Sequence, residues 1–327
     1  MTMECRDYGR LPDGRMVHEY RLDNGLGLQL TAITLGGIVT GLWVPDAQGL
    51  SGNVVLGFDN LDDYVHRNPS FGIIVGRYGN RIAGARFELD GELPLLGCND
   101  GLNCLHGGTE GFGHRLWQAA PAEPREGEAA ALRFSYTSPH GEQGFPGELR
   151  VQVRYSLSAI DNSWRIAYEA TTDRATVVNL THHDYFNLAG DGSVLRHRLT
   201  LPASRYSEVD EHLIPQRHAS VDGTPFDFRQ STAIVARIRR IFVGVGLVQL
   251  LPRRRSQRSR DIVGSRSRKP RISVGPGIVI GHGDAVADDR SDRFRPVRQL
   301  QIHLVRLLHL PGSRDGIGRE MPLVVHH

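Results

Sequence analysis

Lysine is almost absent from this chain of 327 residues, where a single Lys stands beside 38 Arg. That bias points to a GC-rich gene. Cysteine is scarce as well: Cys5, Cys98 and Cys104 form no C-x-x-C pair and leave an odd one over. A disulfide framework or a zinc site is therefore not expected, and a reducing compartment is. No apolar h-region follows Met1, so no secretory signal is expected either. The longest apolar stretch, residues 241–251, is too short to span a bilayer. The G-x-G-x-x-G and G-x-S-x-G spacings are missing, and so is any metal-type spacing of histidines. No capped amphipathic helical stretch runs beyond about three turns. With 38 Gly, 17 Pro and 39% hydrophobic residues the balance is that of an ordinary globular protein. The expectation is a soluble cytoplasmic protein, monomer or homodimer, with no cofactor, no metal, no membrane partner and no nucleic-acid partner.

Charge and aromatic residues are unevenly spread. From Ser231 onward 18 Arg and one Lys face seven acidic residues, whereas residues 1–230 carry 20 basic and 29 acidic groups. After Phe228 the only aromatics are Phe242 and Phe294, and the run Arg253-Arg-Arg-Ser-Gln-Arg-Ser-Arg has no apolar period. Two readings compete. A genuine Arg-rich tail would bind nucleic acid or stay disordered. A single-base insertion or deletion near codon 235 would instead turn a GC-rich gene into Arg, Gly, Pro, Val and Ala with few aromatics. The second reading is favoured, and it divides the chain into residues 1–234 and a degraded segment, 235–327. That segment is expected to pack poorly and to be irregular, because it has little apolar surface to bury.

Residues 1–230 are dense in short strand signals. Leu26-Gly-Leu-Gln-Leu-Thr-Ala-Ile follows Asn24-Gly25, a hairpin dipeptide. Ala131-Leu-Arg-Phe-Ser-Tyr-Thr, Leu149-Arg-Val-Gln-Val-Arg-Tyr-Ser-Leu and Trp164-Arg-Ile-Ala-Tyr-Glu-Ala alternate apolar with polar residues, and Arg196-His-Arg-Leu-Thr-Leu-Pro adds a further segment. Turn clusters such as Pro45-Asp-Ala-Gln-Gly and Asp191-Gly192 separate such segments. This punctuation predicts an all-β chain, a large antiparallel sandwich, with no linker inside residues 1–230.

The chemistry concentrates in four places. Asn179-Leu-Thr-His-His-Asp-Tyr-Phe-Asn-Leu reads as a strand running into a turn. Its alternation puts Thr181, His183 and Tyr185 on one face and His182, Asp184 and Phe186 on the other. Only one of the two histidines can face a given cleft, so the pair cannot chelate one ion. An imidazole suits proton transfer near neutral pH, although a structural His pair is the commoner meaning of such a motif. Gly76-Arg-Tyr-Gly-Asn-Arg-Ile-Ala-Gly places Asn80 and Arg81 between glycines, where a guanidinium can make paired bonds to vicinal hydroxyls. Leu105-His-Gly-Gly sets His106 beside glycines that let backbone pass close to a ligand. Gly141-Glu-Gln-Gly-Phe-Pro-Gly, Asp210-Glu-His-Leu-Ile-Pro and Thr224-Pro-Phe-Asp-Phe-Arg read as structural loops.

Taken in order, these segments resemble the galactose mutarotase (aldose 1-epimerase) family over about the first 230 residues. The resemblance implies that family's large antiparallel sandwich, a role in carbohydrate and hexose metabolism, and interconversion of the anomers of an aldose such as glucose or galactose. It implies general-acid catalysis by His183, with His182 in the place usually held by Asn. It makes His106 a second catalytic residue that contacts the sugar, and Asn80, Arg81, Asp184 and Tyr185 substrate contacts. Two family segments have no counterpart: an Asp-His segment with a sugar-binding aspartate, and a Leu-Glu-Thr-Gln-like segment whose Glu is the general base. The only Glu after residue 211 is Glu320, in an unmatched setting. The chain as written is therefore expected to turn over little, and a relative that only binds a sugar or sugar phosphate is the alternative.

Overall fold

The computed structural model of the chain describes residues 3–241, together with 249–252, 260–263, 271–274 and 300–308. Strands β1 (Met3–Arg10), β2 (Met16–Asp23), β3 (Gln29–Ile33), β4 (Val39–Pro45) and β5 (Ser51–Asn53) pair antiparallel in that order. Gly25 and Gly27, with φ of 73° and 101°, carry the chain from β2 to β3 through a region that L side chains avoid. Asn24, buried at the same turn, accepts from the N–H groups of Leu26 and Leu28. Its amide reaches across to Ser158 O, Asp161 O and Asn162 Oδ1 at 3.0–3.3 Å. One side chain thus clasps this hairpin to another part of the molecule.

Short elements follow: α1 (Leu61–His66), β6 (Ile74–Val75), β7 (Arg81–Ile82) and β8 (Cys104–Leu105). Helix α1 starts where the Asn60 side chain accepts from Asp63 N, an ordinary N-cap. The second sheet is built around β9 (Gln118–Pro121), β10 (Glu128–Ser138), β11 (Leu149–Ser158) and β12 (Ser163–Thr172). In β11 the odd positions Leu149, Val151, Val153, Tyr155 and Leu157 are buried, as the alternation of the sequence demands. They meet Leu22, Leu30, Leu42 and Val44 of the first sheet, with Phe134, Trp164 and Ile166, in one continuous core. Fully burying one such side chain stabilises the fold by about 1.5–3 kcal/mol. The protein is an all-β sandwich of antiparallel strands.

The chain continues through β13 (Thr181–His182), β14 (Arg198–Leu199), β15 (Ala203–Val209), β16 (Pro215–Ser220), β17 (Thr232–Ala233) and α2 (Val235–Ile241). Beyond these lie β18 (Gln249–Pro252), β19 (Arg260–Val263), β20 (Arg271–Val274) and β21 (Leu300–Leu308). The expectation of irregular structure after residue 235 is corrected in these segments. β21 pairs with β12, β20 with β21, and β19 with β20 and β14, so the second sheet has nine strands, while β18 joins β15 and β16 in a separate three-stranded sheet. Without β21 the edge of β12 would expose a row of unpaired amides and carbonyls, and Leu300-Gln-Ile-His-Leu has enough alternation to cover it. Most of the Arg253 run and Glu320 lie outside the described residues. Among the described residues, no helix is long and apolar enough to cross a membrane.

Candidate active site

Short-range pairing assembles the candidate residues from three distant stretches of sequence. β13 pairs with β6, Thr181 opposite Val75 and His182 opposite Ile74. The ladder is extended by His183 N donating to Ile73 O at 3.0 Å and Gly72 N donating to His183 O at 3.0 Å. The loop after β6 is sutured to residue 179, because Asn179 N donates to Arg77 O at 2.9 Å and Gly79 N donates to Asn179 O at 2.8 Å. β7 then pairs with β8, Arg81 opposite Leu105, which sets His106 beside Asn80. The regular strand expected over 179–188 is only two residues long, and the rest is extended chain with single bridges such as Val55 to Phe186.

His106 has φ of 55°, and Gly107 and Gly108 follow at 89° and 94°. A Cβ on Gly107 would lie 1.9 Å from Gly76 O, so only glycine fits there. The tight turn holds the imidazole in place: Asn80 N donates to His106 Nδ1 at 3.1 Å, and His106 N donates to Asn80 O at 3.0 Å. Because Nδ1 accepts from a backbone amide, the ring proton of a neutral His106 sits on Nε2. Asn80 itself is 8% exposed with φ of 74°, and its Oδ1 is buried with no hydrogen-bond partner among the described residues. Arg81 uses Nε to hold Asp100 Oδ2 at 2.6 Å.

The rings of His106 and His183 meet edge to face, with centroids 5.1 Å apart. Tyr185 also packs on His183, with its ring centroid at 5.2 Å, and Tyr185 in turn packs on Phe71. Burial lowers the His183 pKa below that of an ordinary histidine, since a charged imidazolium loses hydration there; the negative Asp184 nearby opposes this in part. The structure thus brings Asn80, His106, His183 and Tyr185 together, with Arg81 next in the chain. Asp184 is turned away. Its carboxylate pairs with His182 on the opposite face of the segment, inside the core.

Behind this group lies a polar clamp that the sequence did not reveal. Arg77, 2% exposed, donates from Nε to Ser138 Oγ at 2.8 Å. Its other nitrogens donate to Pro146 O, Ser138 O and Pro139 O at 2.8–2.9 Å. The Ser138 hydroxyl donates to Glu142, and that carboxylate also accepts from Tyr136 OH at 2.6 Å and faces Arg115 Nε at 3.1 Å. The clamp fixes residues 141–147, from which Gln143 Oε1 accepts from Glu110 N at 3.3 Å. A Cβ on Gly108 would come 2.5 Å from that same oxygen, so the loop forms the floor under the His106 turn. Nothing in the sequence separates a buried arginine from an exposed one within Gly-Arg-Tyr-Gly. Among the described residues, no cluster of three His, Cys, Asp or Glu could hold a metal.

Comparison with known proteins fits this geometry. The sequence profile of the family described as aldose 1-epimerase matches residues 18–270, running past the boundary drawn at residue 234. The chain is 42% identical to a galactose mutarotase of Bos taurus over 240 residues, 72% of this chain and 68% of that one. It is 38% identical to an aldose 1-epimerase of Escherichia coli K12 over 227 residues, 69% of this chain and 64% of that one. The matched part thus spans about two thirds of these relatives' length. Among solved structures, an aldose epimerase homologue from C. elegans superposes with a TM-score of 0.72 at 27% identity, covering 88% of this chain and 89% of that one. A galactose 1-epimerase from Lactobacillus acidophilus gives 0.72 at 26% identity, covering 84% and 79%.

Proposed function

Because the chain belongs to the aldose 1-epimerase family, we propose that it interconverts the α and β anomers of hexoses such as glucose and galactose by acid–base ring opening. The observation that carries this reading is the contact of His106 with His183 beside buried Asn80. A base takes the proton of the C1 hydroxyl while an acid protonates the ring oxygen, and the ring opens to the aldehyde. Rotation about C1–C2 presents the other face, and closure returns both protons. Neither a metal nor a nucleotide enters these steps. His183 is the acid in this proposal: the burial that lowers its proton affinity makes its imidazolium a readier donor. His106 offers its Nε2 proton to an oxygen of the sugar, and Asn80, Arg81 and Tyr185 bind the hydroxyls and the ring face. Asp184 drops out of the substrate contacts because its carboxylate is committed to His182.

The general base has no counterpart in the sequence. We assign residues 235–327 to a shifted reading frame, with residues 1–234 as the family domain, and expect the chain as given to turn over little. The same lack favours the second reading, a protein that recognises a sugar or sugar phosphate without converting it. The scarcity of cysteine supports a cytoplasmic setting, and the protein is taken as a monomer or homodimer acting on a free aldose.

Polarimetry of freshly dissolved α-glucose or α-galactose tests the proposal. The product of a gene with the frame restored near codon 235, carrying a Leu-Glu-x-Gln segment, should speed the approach to equilibrium. His183→Ala should then lower turnover by about 10²–10⁴-fold, the worth of one positioned acid. A frame-restored protein that leaves the spontaneous rate unchanged would sink the enzyme reading.

A further inference from the structure

A second histidine is locked in the core directly behind the first. His182 and Asp184 flank His183, and both side chains are 5% exposed. The Tyr155 hydroxyl lies 2.8 Å from Gly37 O and 2.7 Å from His182 Nε2. A phenol has one proton, and a carbonyl oxygen can only accept. Tyr155 therefore spends its proton on Gly37, and His182 must donate from Nε2. The other ring nitrogen, Nδ1, is 2.6 Å from Asp184 Oδ2. The contact lies off the line of a hydrogen bond, and neither Nδ1 nor Asp184 Oδ1 has a hydrogen-bond partner among the described residues, so the two groups are held by close packing and charge. Buried ionisable groups are tolerated when an opposite group stands beside them, as here. Trp164 and Tyr155 close on the imidazole edge to face, with ring centroids at 5.5 and 5.4 Å.

We infer that His182 and Asp184 are positioning residues for His183, a buried close pair that pulls both chain neighbours of that imidazole into the core and so fixes the direction in which it points. The regular ladder here is only Thr181–His182, too short to orient the next residue by itself. In extended chain, positions 182 and 184 share a face, and drawing both inward forces 183 to the other face. His182 anchors this arrangement to β11 through Tyr155 and to the β3–β4 turn through Gly37, while Asp184 stops the ring from rotating. The inference rests on the proposed function only for what His183 does, and not for how it is held.

The full chain, labelled with ¹⁵N-histidine, tests this by NMR. His182 should show a slowly exchanging proton on Nε2, and the His183 ring should resonate away from free-histidine positions. Asp184→Asn keeps a donor facing Nδ1, so the His183 signals should stay and glucose affinity should remain within about threefold of the parent. Asp184→Ala should move the His183 signals toward free histidine and weaken glucose binding by about tenfold or more, the size of effect that contacting residues show on one another. If Asp184→Ala does not fold, His182→Phe combined with Asp184→Asn fills the same space without a charge. It should melt cooperatively yet displace the His183 signals. His183 signals unmoved in every variant, or an Nε2 of His182 without a proton, would overturn the inference. Absence of glucose binding by the parent chain, with the ring signals as described, would instead count against the proposed function alone.

Discussion

Replacing Arg77 with Met removes four charge-assisted hydrogen bonds while keeping most of the side-chain volume. Each bond to a charged donor contributes a net ~1.5–3 kcal/mol, so the gross loss is about 6–12 kcal/mol. Part of this is offset, because a buried guanidinium costs several kcal/mol in lost hydration, and its pKa is lowered for that reason. Ser138, which is buried, and Pro146 would lose the guanidinium donors to their carbonyls, whereas Pro139 O keeps Glu142 N at 3.1 Å. A net destabilisation of about 3–5 kcal/mol is expected, in the range seen when one partner is removed from a buried charged network. Urea unfolding followed through the fluorescence of buried Trp117 and Trp164 would read it as a lowered midpoint. Arg77→Lys should fall between, because a point charge cannot span the fork of acceptors. A loss below about 1 kcal/mol for Arg77→Met would refute the claim that this arginine clamps residues 141–147.

Three further outcomes follow from local geometry. Gly107→Ala sets a methyl 1.9 Å from Gly76 O at φ of 89°, so it should displace His106, lower the melting temperature and abolish glucose binding; an unchanged melt with unchanged binding would contradict it. Cys104 is buried and its thiol is pushed up to about 11, so at pH 8 iodoacetamide should label exposed Cys5 and Cys98 and spare Cys104, as peptide mass spectrometry would show. The lowered proton affinity of folded His183 gives acid sensitivity. As pH falls below the ordinary histidine value of about 6.5, the unfolded chain takes up the proton first, so stability declines until the folded value is passed. His183→Gln should flatten the pH 7 to 5 stability profile by less than one proton's worth of slope, and an unaltered slope would exclude His183 as the source.

The strands of the second sheet were legible because they carry alternation over nine or ten residues, as Leu149–Ser158 does. The candidate site could be read only where backbone constraint leaves a mark in sequence. His106 shows itself through the two glycines that its turn requires, and Asn80 through the Gly-rich loop. Asp184 is the instructive failure. Strand alternation by itself put it on the face opposite His183, whereas carrying over the family's substrate segment put it in the site. The structure sides with the alternation, because Asp184 has an imidazole partner in the core. The clamp of Arg77, Ser138, Tyr136 and Glu142 was illegible for a different reason. Arg77 lies 61 residues from Ser138, and no local pattern marks a polar side chain that ends up inside. The strands beyond residue 249 were missed because composition was weighed there over the alternation within short windows.

The clasp made by Asn24 sets an order of events during synthesis. Its partners lie 134–138 residues further along the chain, so the clasp cannot be closed until about half of the polypeptide has left the ribosome. At about 5–20 residues per second this is a wait of roughly 7–27 s. Until β10 and β11 emerge, Leu22, Leu30, Leu42 and Val44 have no opposing sheet to cover them. Ribosome-bound chains that stop short of Ser158 should therefore be retained by holding chaperones, and those that reach Asn162 should be released.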